Sequence, residues 1–160
     1  LMHVIAAKAI CFAEAMSQDY QQYIKQVVIN AKSMSQTFIN RGYQVLTGGT
    51  DCHLLMLDLR NQRITGKAVE EKLDYFGIAC NKNTVPFDDQ KPTVTSGIRI
   101  GTPAITTRGF KERESIEVAN IISDVLDEIQ RDNHFTQEKE REIRQKISHI
   151  CESFTIDANE

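Results

Sequence analysis

Arg99 stands between Ile98 and Ile100 in the stretch VTSGIRIGTPAITTRG, residues 94–109, where nearly everything else is small or apolar. On a short strand such an arginine would lie among backbone and isoleucine side chains, and an unpaired guanidinium there is costly. Gly97 and Gly101 flank it and let a ligand or another backbone come close, while Ile98 and Ile100 would anchor the strand in a core. A guanidinium held this way presents a planar fork of donors that matches both oxygens of a carboxylate. The residues leave two readings open: Arg99 binds a ligand carboxylate, or it closes a buried ion pair with an internal acid such as Asp58 or Asp51.

A second group with chemistry is NKNTVPFDD, where Asn81 and Asn83 carry amides that can donate and accept, as the edge of a heteroaromatic ligand requires. Plain turn chemistry explains the same residues. Arg108, in TTRG, reads as a structural clasp for carbonyls or a neighbouring acid. The sequence has no G-x-G-x-x-G or G-x-x-x-x-G-K-[ST] phosphate loop, no G-x-S-x-G elbow and no H-E-x-x-H. His3, His53, His134 and His149 are far apart; His53, beside Asp51 at a strand entrance, reads as a hydrogen-bonded structural residue before a catalytic one. Cys11, Cys52, Cys80 and Cys151 are scattered without a C-x-x-C pair or zinc-ligand spacing, which predicts free thiols in a reducing compartment and no metal site.

The elements that must position these groups follow from periodicity. Residues 3–16 form a helix that is apolar almost all round, which predicts burial against another body. Ser17 caps a second helix with the stripe Tyr20, Tyr23, Ile24, Val27, Val28, Ala31, Met34 and Phe38, stopped at Gly42. Residues 43–46 and 53–59 read as strands joined through Gly48-Gly49, the second apolar on both faces as far as Asp58 and therefore expected to be covered on both. Thr65 caps a helix that presents Val69, Leu73 and Phe76 and ends at Gly77; a short strand near 78–81 leads into an irregular polar segment with Pro86 and Pro92. Residues 97–101 form the next strand, followed by helices over about 111–131 and 136–153. This order predicts an α+β layer, a small mostly antiparallel sheet covered by helices.

A chain of 160 residues fits one domain with, at most, an appended element. The formal charge of −3 and a pI near 5.8 argue against a nucleic-acid partner while leaving small anionic ligands open. No apolar run reaches the roughly 18 residues needed to span a membrane. Lys8 and Glu14 interrupt the first apolar stretch, which reads as a helix and not a signal peptide. Leu1 precedes Met2 and runs straight into helical sequence, from which the 160 residues are expected to belong to a longer polypeptide.

HVIAAKA, GGTDCHLLMLDL, NKNTVP and TSGIRIGTPAITTRG together resemble serine hydroxymethyltransferase, from about residue 1 to residue 129 without an evident gap. The tail beyond Arg131 fits the family's closing helix but is less diagnostic. The resemblance implies a pyridoxal-phosphate protein of fold type I, that of aspartate aminotransferase, which moves a one-carbon unit between serine and tetrahydrofolate and leaves glycine. It covers only the family's last third. Residues 17–160 would then be the C-terminal small domain and residues 1–16 a helix connecting it to a large domain upstream. The T-T-x-K-T lysine that forms the Schiff base has no counterpart here, so no catalytic, cofactor-binding or metal-binding residue is expected in this stretch, and the chain alone should be inactive. By resemblance, Arg99 matches the arginine that binds the amino-acid carboxylate, which would fix the substrate relative to the cofactor's electron sink. Asn83 matches the asparagine that contacts the folate pterin, and Arg108 stays structural. The implied whole is a cytoplasmic homodimer with active sites between subunits, acting on serine, glycine and tetrahydrofolate, with no nucleic-acid or membrane partner. Two alternatives stand beside it: the small domain of another pyridoxal-phosphate enzyme such as a threonine aldolase, and a freestanding amino-acid-binding module.

Overall fold

Ser17 opens the longest helix by accepting a hydrogen bond from the Tyr20 amide at 3.1 Å, and Gly42, at φ 84°, lets the chain turn away at its end. The computed structural model describes residues 1–155. In chain order these form α1 (Met2–Ala15), α2 (Gln18–Asn40), β1 (Gln44–Val45), β2 (Leu54–Asp58), α3 (Gly66–Tyr75), β3 (Asn81–Asn83), β4 (Gly97–Gly101), α4 (Pro103–Thr107), α5 (Glu112–Arg131) and α6 (Gln137–Ser153). The strands pair in the order β1-β2-β4-β3, antiparallel throughout. The architecture is the α+β layer that the order of elements predicts.

The pleat decides what lies in the core. Leu55 faces Ile100 and Leu57 faces Ile98 across β2 and β4, and these four side chains pack against Met34 and Phe38 of α2, Val69 and Leu73 of α3, and Ile122, Val125 and Leu126 of α5. Burying each such side chain contributes roughly 1.5–3 kcal/mol. Successive residues of a strand point to opposite faces, so Leu54, Met56 and Arg99 belong to the other side, where Leu54 and Met56 are half-buried and Arg99 is exposed. The second strand is therefore not covered on both faces; the helices close one side and leave the side bearing Arg99 open.

Three local features differ from the sequence reading. The first strand is only two residues long because the chain turns over Leu46–Gly48, with Thr47 at φ 62°. β3 lies at Asn81–Asn83 rather than 78–81, since pairing with Arg99–Gly97 sets its position. A short helix, α4, follows β4 directly, with Pro103 at its start, where the missing N–H is no loss. Thr102 secures that corner: its hydroxyl donates to the Val27 carbonyl at 2.8 Å. Buried Asn30 completes the tie between α2 and α4, donating to Thr106 Oγ1 and the Phe110 carbonyl, each at 2.9 Å. α1, by contrast, buries none of its residues. Among the described residues no helix is long and apolar enough to cross a membrane.

Candidate functional site

Arg99 sits in the middle of β4, paired with Met56 of β2 on one side and Asn81 of β3 on the other. Two ladders thus hold its backbone while its guanidinium stays exposed and, among the described residues, has no acid partner. The two acids that could have paired with it are placed otherwise. Asp58 is buried and belongs to Arg60, which donates to its carboxylate through Nε at 3.0 and 3.1 Å and Nη2 at 2.6 Å, and Asp51 is exposed. The Arg60 guanidinium holds the Asp58 carboxyl below its ordinary value.

The glycines beside Arg99 divide the two uses the sequence allows. At Gly97 the close neighbour is protein: a Cβ there would lie 2.7 Å from Val85 Cγ1 and 2.8 Å from the Leu57 carbonyl oxygen. At Gly101 it would meet nothing nearer than the His53 carbonyl at 3.5 Å. Gly101 borders an open cleft of about 390 Å³ lined by His53, Leu54, Ala79, Cys80, Asn81 and Arg99. The cleft offers one fixed cation, an amide and a small apolar wall, a setting suited to a small carboxylate-bearing molecule. Burial, with Glu70 and Asp74 nearby, pushes the Cys80 thiol up to about 11, so it stays protonated at neutral pH and is no nucleophile. The His53 carbonyl accepts from the Thr102 amide at 3.0 Å, which gives this residue a structural task at the cleft's edge.

Asn83 lies two residues along β3 from Asn81, and Asn81 is directly opposite Arg99. Because paired residues share a face and the strand period is 2, Asn83 and Arg99 are on the same open side of the sheet. One Asn83 amide hydrogen is engaged with the Thr84 carbonyl at 3.0 Å. Two acids that the sequence does not mark as special hold this edge of the sheet. Glu70 of α3 accepts from the Lys82 amide at 2.9 Å and pairs with the Lys82 ammonium. Asp88 accepts from the Val85, Gln90 and Ser96 amides and from the Ser96 hydroxyl. The sequence signal for Asp88 was its type, an aspartate in a proline-bounded loop, but nothing local distinguishes it from Asp89.

Arg108 is remote from this cleft in role: its Nε and Nη2 donate to the Phe154 carbonyl at 2.9 and 2.7 Å, the carbonyl clasp its sequence context suggests. All four cysteines are free thiols. Among the described residues no group of three or more His, Cys, Asp or Glu side chains is arranged to hold a metal.

A family model, serine hydroxymethyltransferase, matches residues 1–122. The chain belongs to the serine hydroxymethyltransferase family. It is 57% identical over 129 residues to a serine hydroxymethyltransferase of Orientia tsutsugamushi (strain Ikeda), an alignment covering 81% of this chain and 30% of that protein. To serine hydroxymethyltransferase 1 of Pseudomonas fluorescens (strain Pf0-1) it is 51% identical over 156 residues, 98% of this chain and 37% of the relative. With the serine hydroxymethyltransferase of Rickettsia akari (strain Hartford) the identity is 46% over 154 residues, 96% and 36% of the two chains. The chain thus spans about a third of the length of the serine hydroxymethyltransferases it matches.

Proposed function

We propose that this chain is the C-terminal small domain of a pyridoxal-phosphate-dependent serine hydroxymethyltransferase, in which Arg99 binds the α-carboxylate of serine or glycine and Asn83 meets the pterin of tetrahydrofolate. In this reading residues 17–160 are the domain, residues 1–16 connect it to the rest of the polypeptide, and the enzyme works as a cytoplasmic homodimer. The observation that carries it is the guanidinium of Arg99, held by two strand ladders, exposed at a cleft and without an acid partner among the described residues.

The cleft does not fit the cofactor itself. Its lining includes no lysine that could carry pyridoxal phosphate covalently, so the residues that hold the cofactor belong to the rest of the enzyme. What this chain supplies is orientation. A bidentate Arg99–carboxylate pair fixes the amino acid in one plane, and the three neighbouring side chains Leu54, Ala79 and Cys80 keep that pocket small. Asn83, on the same face, offers both donor and acceptor to a pterin edge, so one strand pair would position both substrates. By itself the chain is inert as a catalyst.

The test is Arg99→Lys in the full-length enzyme, following the cofactor's visible absorbance as glycine is added. Lysine keeps the charge and loses the fork. Loss of one charged hydrogen bond predicts glycine binding weaker by roughly 10- to 100-fold with cofactor retained. Unchanged glycine binding would make Arg99 a structural residue.

A further inference from the structure

The 13 residues between β3 and β4, residues 84–96, contain no helix or strand, yet one side chain closes them. Asp88 Oδ2 accepts from the Val85 amide at 3.1 Å and the Ser96 amide at 2.8 Å, while Oδ1 accepts from the Gln90 amide at 2.9 Å and the Ser96 hydroxyl at 2.7 Å. The carboxylate therefore joins the loop's beginning to its last residue. Val85, buried by this closure, packs on Gly97, and Gly97 is the pairing partner of Asn83.

We infer that Asp88 is a positioning residue for the folate side of the site, acting through Asn83 and not through Arg99. The asymmetry is in the sheet. β4 is an inner strand and Arg99 is held from both sides, whereas β3 is a three-residue edge strand with a single neighbour. Asn83, at its last position, passes directly into the loop, so its placement depends on Val85 and on the carboxylate that seats Val85. Glu70 secures the middle of β3 at Lys82 and leaves the exit beyond Asn83 to Asp88. The inference rests on the pterin reading of Asn83.

The experiment compares Asp88→Asn, Asn83→Ala and the double variant in the full-length enzyme. Three quantities are read: the KM for tetrahydrofolate, glycine binding by cofactor absorbance, and folate-independent cleavage of a β-hydroxy amino acid. Asparagine keeps the shape but cannot accept four hydrogen bonds on two oxygens, so Asp88→Asn should raise the tetrahydrofolate KM roughly tenfold. Glycine binding and folate-independent cleavage should stay within about twofold. On the Asn83→Ala background the Asp88 substitution should add little, because both changes remove the same contact. Additive effects, or equal losses in all three quantities, would make Asp88 a general structural residue and overturn the inference. If Asn83→Ala leaves the tetrahydrofolate KM unchanged, the pterin reading itself fails and the inference falls with it. Should Asp88→Asn not fold, Ser96→Ala removes one donor to the same carboxylate and must show the same selective, smaller rise.

Discussion

Gly97 and Gly101 bracket the same arginine and have opposite surroundings. A side chain at Gly97 would press on the Leu57 carbonyl, backbone that cannot yield without opening the β2–β4 ladder, and on buried Val85. Overpacking of this kind costs typically 1–3 kcal/mol, so Gly97→Ala should destabilise the chain by about 2 kcal/mol. Gly101→Ala, with only ordinary contacts to the His53 carbonyl, Pro103 and Leu54, should change stability by less than about 0.5 kcal/mol. Urea unfolding of the two variants checks the contrast; equal costs would mean that Gly101 is also a packing glycine. The sequence makes both glycines and the arginine visible, and the alternation of Ile98 and Ile100 already implies that Arg99 points away from them. What it could not show is that Asp58 is taken by Arg60 two residues on, which leaves Arg99 without that partner.

Among the elements, α2 is the most legible, since Val27, Ala31, Met34 and Phe38 fall on its predicted stripe and are buried. Its buried Asn30 is not legible, because the partners Thr106 and Phe110 are 76 and 80 residues away along the chain. β3 and the loop that follows it are the least legible part: their polar sequence gives no period, and their order comes from Glu70 and Asp88, whose partners only the fold assembles. That closure has a pH signature. Burial raises the Asp88 carboxyl, but hydrogen bonds from Gln90, Ser96 and Val85 outweigh it and hold the group at about 2. An unfolded aspartate titrates near 3.9. The folded value is the lower one, so Asp88 stabilises the fold fully above about pH 4 and the contribution is lost as pH falls towards about 2. The side chain is half-buried, and solvent screening keeps the effect to about 1 kcal/mol. Comparing unfolding of the chain with Asp88→Asn at pH 7, 5, 4 and 3, the difference should be constant down to about pH 4 and shrink below it. A difference that does not change with pH would trace the loss to shape and not to charge.

At the scale of the whole molecule, the sheet and α2 to α6 form one packed body, and α1 stands outside it. Long-range ties hold the body together: Arg41, just past the end of α2, reaches Asp124 and Asp127 of α5, and Arg108 fixes the end of α6. α1 contributes no buried residue, and Ile5, Ile10 and Phe12 are each about 60% exposed. A helix that is apolar almost all round is expected to be covered where it functions, and among the described residues nothing covers this one. Left uncovered, such a surface drives association. The 160-residue chain alone should therefore show a mass that rises with concentration in sedimentation equilibrium. Deleting residues 1–16 should abolish that rise and, because no core contact is lost, move the thermal midpoint by less than about 2 °C. If the shortened chain unfolds, α1 is part of the domain and the boundary at residue 16 is misplaced. If it folds and still associates, the adhesive surface is elsewhere, with the open sheet face around Leu54 and Met56 the next to test by substitution with polar residues.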